Sequence, residues 1–133
     1  SRKSQGIEFE GRWLASDTIS VDGSYAYVDA KTGTEVAARV PGHDLSISIS
    51  ANISPKINSN LEINHIMDYK DTVSGSLVDM PDYTVTNLAV SYDMANNLLG
   101  YVRVQDLMDT DYETVKDFNT GGRQIFAGIR ATF

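Results

Sequence analysis

From His43 to Ile53 the chain alternates without a break: Leu45, Ile47, Ile49, Ala51 and Ile53 interleave with Asp44, Ser46, Ser48, Ser50 and Asn52. A helix would return its apolar residues at intervals of three and four, so a strict period of two makes this stretch a strand with one apolar and one polar face. The chain closes the same way, with Ile125, Ala127, Ile129, Ala131 and Phe133 alternating with Gln124, Phe126, Gly128, Arg130 and Thr132. Segment 61–70 sets Leu61, Ile63, His65, Met67 and Tyr69 against Glu62, Asn64, Ile66, Asp68 and Lys70. Four more segments, 6–14, 18–29, 82–94 and 98–105, carry the apolar sets Ile7/Phe9/Trp13, Ile19/Val21/Tyr25/Tyr27, Leu88/Val90/Tyr92/Met94 and Leu98/Val102/Val104. An all-β chain of seven strands and no helix is expected.

The charges then discriminate between kinds of sheet. Glu8, Glu10, Arg12, Asp22, Asp44, Glu62, Asp68, Lys70, Asp93, Arg103 and Arg130 all fall on the polar parity of their strands, and His65, at mid-strand, falls on the apolar parity. Alternation alone permits a soluble β-sandwich, in which a second sheet covers the apolar face. The connections favour another solution. They run short, long, short, long, short, long (15–17, 30–42, 54–60, 71–81, 95–97, 106–122), as in an antiparallel up-and-down transmembrane β-barrel with tight periplasmic turns and long outer loops. The aromatic residues follow this orientation: Phe9, Tyr25, Tyr27 and Tyr69 lie toward the long-loop ends and Trp13, Tyr92 and Phe133 toward the short turns, two girdles at two interfaces. Closure is the remaining demand, because an open sheet edge in lipid leaves backbone groups unsatisfied and single-chain bacterial barrels have even strand numbers. Seven strands point to a missed strand or to part of a larger barrel. The opening Ser1-Arg2-Lys3-Ser4-Gln5-Gly6, with no Met and no apolar signal core, favours the second.

Composition removes other classes. With 11 Lys+Arg against 18 Asp+Glu and a net charge of -7, the chain has no cationic run with which to neutralise phosphates, so nucleic acid is excluded as a partner. The lack of Cys excludes a disulfide scaffold and thiolate metal sites. No apolar stretch reaches the ~18 residues of a spanning helix. No nucleophile, base and acid are grouped in a catalytic pattern, so the chain reads as no enzyme and needs no cofactor. His65 reads as a neutral imidazole packed on a neighbour. The acidic run Asp106, Asp109, Asp111, Glu113 and Asp117 lacks the Gly and the terminal Glu of a calcium-binding hand, and reads as a solvated loop.

One part of the chain is more specific. Asp106-Leu107-Met108-Asp109-Thr110-Asp111-Tyr112-Glu113-Thr114-Val115, then Phe118-Asn119-Thr120-Gly121-Gly122-Arg123 and a last strand ending at Phe133, resembles the C-terminal end of TonB-dependent outer-membrane receptors. Gly6-Ile7-Glu8-Phe9-Glu10, Val40-Pro41-Gly42-His43, Tyr83-Thr84-Val85-Thr86-Asn87-Leu88 and Ser91-Tyr92 add to the likeness. The chain departs from the usual pattern at Asp106, Met108 and Gly121, where the family has Asn, Phe and often Pro.

The resemblance implies that residues 1–133 are about the last seven strands of a barrel of about 22, with plug domain and earlier strands outside this chain. It implies uptake of a scarce ligand, an iron-siderophore, heme or cobalamin, across the bacterial outer membrane. The partners it implies are that small molecule, the lipid bilayer, the outer-membrane assembly machinery, and the TonB energy-coupling complex acting through the N-terminal part. Asp106, Leu107, Asp111, Tyr112, Glu113, Gly122 and Arg123 take structural roles in this reading, with Arg123 pairing to a loop carboxylate. Ile125, Ala127, Ile129, Ala131 and Phe133 form an assembly signal, and ligand contacts fall on 30–42, 71–81 and 106–122. The competing expectation is a small self-contained structural or adhesive outer-membrane barrel with one strand still unread.

Overall fold

The computed structural model describes residues 1–133. The chain runs through β1 (Arg2–Leu14), β2 (Ile19–Thr32), a two-residue β3 (Glu35–Val36), β4 (His43–Ser54) and β5 (Ile57–Met67). A hairpin of β6 (Tyr69–Val73) and β7 (Ser76–Met80) follows, then β8 (Tyr83–Ala95) and β9 (Leu98–Gln105). A second small hairpin, β10 (Glu113–Val115) and β11 (Phe118–Asn119), precedes β12 (Gln124–Ala131). The long strands lie side by side in the order β1-β2-β4-β5-β8-β9-β12, each antiparallel to the next, and β3 adds to the far end of β2.

The register carries the alternation across the sheet. Ile47 faces Gly23 on one side and Ile63 on the other, and Ile63 faces Thr86; Val90 faces Val102, which faces Ala127. One face therefore collects the apolar sets of all the strands, and Glu8, Glu10, Arg12, Asp22, Asp44, Glu62, Asp93, Arg103 and Arg130 share the other. The wall is one layer thick. Ile7, Phe9, Trp13, Ile125 and Ile129 are each 57–68% exposed, and no second sheet covers them, which rules out the sandwich.

Several boundaries differ from expectation. β1 starts at Arg2 rather than residue 6 and β2 runs on to Thr32, because the two strands pair from Arg2↔Thr32 onward; backbone pairing needs no alternation of the side chains. β5 starts at Ile57, so the connection before it is the tight turn Pro55-Lys56 and not 54–60; Ser54 Oγ accepts from the N–H groups of Lys56 and Ile57 at 3.2 and 3.1 Å. Asn58, Ser59 and Asn60 hid this strand by being polar on both faces. At its other end β5 stops at Met67, because Asp68 adopts φ 52°, a left-handed conformation that breaks the extended chain. Asp68 and Lys70 therefore leave the polar wall. Tyr69 leaves the apolar girdle and turns inward to pack with Ile66 and Met80. β12 ends at Ala131, so Phe133 lies beyond the strand and is fully exposed.

The long connections hold further structure. In the β6–β7 hairpin Ser74 and Gly75 take φ 50° and 83°, the doubly positive pair of a type I′ turn, whose twist matches that of the flanking strands. Every residue with positive φ lies in 33–42, 68–82 or 106–123. The seven buried residues, Ala30, Ala37, Ile66, Tyr69, Asp71, Met80 and Asp106, also lie at the long-loop end. The wall has no core of its own, and the packed part of the molecule is its mouth.

Candidate functional site at the long-loop end

Asp71 is the centre of this mouth. Its carboxylate is 1% exposed, and both oxygens accept hydrogen bonds: Oδ1 from Arg39 Nε at 2.8 Å and from the Thr72 N–H at 2.8 Å, Oδ2 from the Lys116 N–H at 2.7 Å. The Arg39 side chain, followed by the Lys116 and Thr72 N–H groups, lowers the Asp71 pKa from the ordinary 3.8 to about 2, against the opposing effect of burial. Arg39 is raised in return by the same hydrogen bond. Arg39 belongs to the connection after β2, Asp71 to the β6–β7 hairpin and Lys116 to the connection after β9. Beside the carboxylate, the Arg39 N–H donates to the Lys70 carbonyl at 2.7 Å and the Tyr69 hydroxyl to the Thr114 carbonyl at 2.7 Å. Tyr83 and Tyr112 stack at 4.5 Å below this cluster.

The motif residues are placed around the same end. Asp106, at φ 52° and 4% exposed, takes the Thr110 N–H on Oδ1 at 2.9 Å, while its own N–H donates to Asn87 Oδ1 at 3.0 Å; its Oδ2 has no partner. The Leu107 N–H donates to the Thr86 carbonyl at 2.7 Å, continuing the ladder past β9. Asp111 is exposed, Tyr112 carries the stack and accepts from Thr120 Oγ1 at 3.0 Å, and Glu113 accepts from the Asp117 N–H at 3.0 Å. Gly122 has φ 69°, and a Cβ there would stand 2.9 Å from Asp109 Oδ1. Arg123 is not paired to a carboxylate through its guanidinium as expected: its backbone N–H donates to Asp109 Oδ1 at 2.9 Å, and Nη1 reaches only the Leu107 carbonyl at 3.4 Å. Asp106, Asp109 and Glu113 are thus spent on backbone N–H groups, since loops without a ladder must find acceptors elsewhere, while Asp117 pairs with Lys116 Nζ at 3.4 Å.

Of the terminal residues, Ile125, Ala127, Ile129 and Ala131 share the apolar face opposite Val104, Val102, Gly100 and Leu98 of β9, while Phe133 stands apart. The polar face below the mouth is a concave, hydrogen-bonded lawn. Asn60 Nδ2 donates to Ser48 Oγ and Ser50 Oγ at 2.9 and 3.0 Å, Asn64 Nδ2 to Asp44 Oδ1 and Ser46 Oγ at 2.8 Å each, and Arg12 Nε to Asp22 Oδ1 at 2.7 Å. Arg103 lies 4.7 Å over the Phe126 ring. Glu10, Glu62 and Asn87 line the same groove.

The two histidines are on the apolar face and form no joint site. His65 Nδ1 meets Thr84 Oγ1 at 2.7 Å, the neighbour-packed imidazole that was expected. His43 lies 5.1 Å from the Tyr27 ring, with Nδ1 2.6 Å from the Tyr25 hydroxyl and Nε2 3.2 Å from Asp68 Oδ2.

Sequence reasoning missed Arg39 and Asp71. A signal was present: counting on from Leu61, Asp71 would have been an acid on the apolar parity, which is the mark of a strand already ended.

No protein-family profile matches the chain, and no curated protein matches it in sequence. Solved structures match it closely in fold. The ferric-catecholate import receptor Fiu from E. coli K12 superimposes with a TM-score of 0.78 at 17% identity, over 99% of this chain and 21% of its own. The ferric yersiniabactin uptake receptor FyuA from Yersinia pestis gives 0.80 at 16%, over 99% and 24%. The pyoverdine outer membrane receptor FpvA from Pseudomonas aeruginosa PAO1 gives 0.82 at 19%, over 99% and 22%. The chain thus spans about a fifth of the length of these receptors and shares the fold of that fifth. This is the all-β, antiparallel fold that the resemblance implied.

Proposed function

We propose that this chain is the C-terminal part of the transmembrane barrel of a TonB-dependent receptor, which takes up a scarce metal chelate of the iron-siderophore kind across the bacterial outer membrane. The observation that carries the reading is the segregated one-layer wall, with an apolar face that has no protein cover, tight turns at one end and an ordered mouth at the other. In water such a wall would expose a continuous apolar band, whereas in a bilayer lipid covers that band and the polar face lines a hydrated lumen. The three receptors described above, named for ferric chelates or for a siderophore, support a chelate as cargo over heme or cobalamin.

In this reading residues 1–133 supply about the last seven strands of a barrel of about 22. The rest of the wall, the plug and the segment that engages the TonB complex come from the remainder of the receptor. The chain does no covalent chemistry: its long-loop end meets the chelate from outside, and its lawn of Ser, Asn and paired charges faces the plug or water. The self-contained barrel is disfavoured, since β1 and β12 do not pair and the wall is left open.

The test is uptake of radioactive iron by cells whose only siderophore receptor is the intact protein, offered as catecholate, hydroxamate and mixed chelates. Accumulation of at least one chelate, abolished when the TonB gene is deleted, is expected. Uptake of none of them, or uptake indifferent to TonB, would overturn the proposal.

A further inference from the structure

The same buried carboxylate that organises the mouth touches all three long connections at once. Its oxygens hold a side chain from 33–42, a backbone N–H from 106–123 and the N–H of the next residue in 68–82. Flanking bonds run between the same partners, from the Arg39 N–H to Lys70 and from the Tyr69 hydroxyl to Thr114. Arg39 holds its place at φ 60°, a left-handed conformation that costs a non-glycine residue energy and persists where surroundings over-determine it.

We infer that Asp71 is a positioning residue that clasps the three long loops into one body, so that this sector of the mouth moves as a unit and not loop by loop. A carboxylate suits the task because one group supplies acceptors in several directions, and each bond to an ionised acceptor is stronger than a neutral one. Loops ordered beforehand lose less conformational entropy when something binds against them. Calling the body a receptor's mouth rests on the function proposed above; the clasp itself rests on the hydrogen bonds.

The clasp is tested on the intact receptor in detergent by amide hydrogen exchange with mass spectrometry, with no ligand present, so its failure is distinguishable from a failure of uptake. Asp71→Asn keeps the shape but turns one acceptor into a donor facing an N–H. It is expected to speed exchange at least tenfold in 33–42, 68–82 and 106–123 together, with the wall strands unchanged. Acceleration confined to 68–82, or none, would overturn the inference. Should Asp71→Asn fail to insert, Arg39→Asn removes the guanidinium at a position whose left-handed backbone Asn tolerates. Faster exchange in 33–42, 68–82 and 106–123 together then supports the clasp, and faster exchange that leaves 106–123 unchanged refutes it.

Discussion

Asp71 and Asp106 are two buried carboxylates with opposite accounts. Asp71 spends both oxygens, and its pKa is held at about 2 against the ordinary 3.8, chiefly by Arg39. A carboxylate depressed in this way adds stability that is fully present above the unfolded value near 4 and lost as pH falls through about 2. The tyrosine signal of the Tyr83–Tyr112 stack, followed by near-ultraviolet circular dichroism, should therefore stay flat from neutrality to about pH 4 and collapse toward pH 2. Asp106 leaves Oδ2 without a partner. An Asn there keeps the bond from the Thr110 N–H on its amide oxygen and changes only the partnerless position, so Asp106→Asn should alter the loop's stability by no more than about 1 kcal/mol, measured as near-unchanged exchange in 106–123. The resembled family usually has Asn at this place. At Gly121, where that family often has Pro, φ is 87°, which no proline can adopt.

At the scale of the strand, the two faces make unequal demands on a substituted residue. Ile47 and Ile129 stand on the apolar face, whereas Ser48 shares its face with Asp22 and Glu62. Arginine at Ile47 or Ile129 should cost about 2–4 kcal/mol near the bilayer midplane and far less at Ser48. Folding titrations into lipid vesicles read this directly, and equal costs on both faces would reverse the assignment of sides. The β9–β12 pair has its own signature. A Cβ at Gly128 would collide with the Tyr101 ring that covers it across the ladder. Gly128→Val should displace that ring and weaken the last strand, lowering the unfolding midpoint of the inserted barrel, while Ala127→Val on the open apolar face should change it little.

At the scale of the molecule, the unpaired outer edges of β1 and β12 are the dominant liability. Each presents a row of free N–H and C=O groups, a template for pairing with other chains. The isolated 133-residue polypeptide should accordingly be oligomeric or aggregated in detergent; a monodisperse monomer with slowly exchanging edge amides in analytical ultracentrifugation and hydrogen exchange would contradict this. Phe133 belongs to the same scale. In the receptor proposed above, Phe133, which lies beyond the β12 ladder, would be the side chain offered to a partner that accepts a strand by edge addition. Deleting Phe133 from the intact receptor should slow insertion and leave unfolded protein in the periplasm, while barrels already inserted keep near-normal uptake. Unchanged insertion kinetics with lower thermal stability would make it an interfacial anchor instead.

The wall was legible in the amino-acid sequence because a one-layer sheet between two unlike media must write its register as alternation: Leu45 to Ile53 and Ile125 to Ala131 could take no other side. Legibility ended where the medium became uniform. Asn58 to Asn60 and Arg2 to Gln5 are strand without alternation, and Tyr69 kept the parity of a strand that the left-handed Asp68 had already ended. The terminal motif predicted which family the fold would resemble, yet it could not say that Arg123 would hold Asp109 through its backbone. The clasp on Asp71 was decided by tertiary structure alone. Its partners, Arg39 and Lys116, lie 32 and 45 residues away along the chain, and a backbone N–H leaves no mark in the identity of its residue. Only the meander that brings three loops to one end of the wall puts those donors around a single carboxylate.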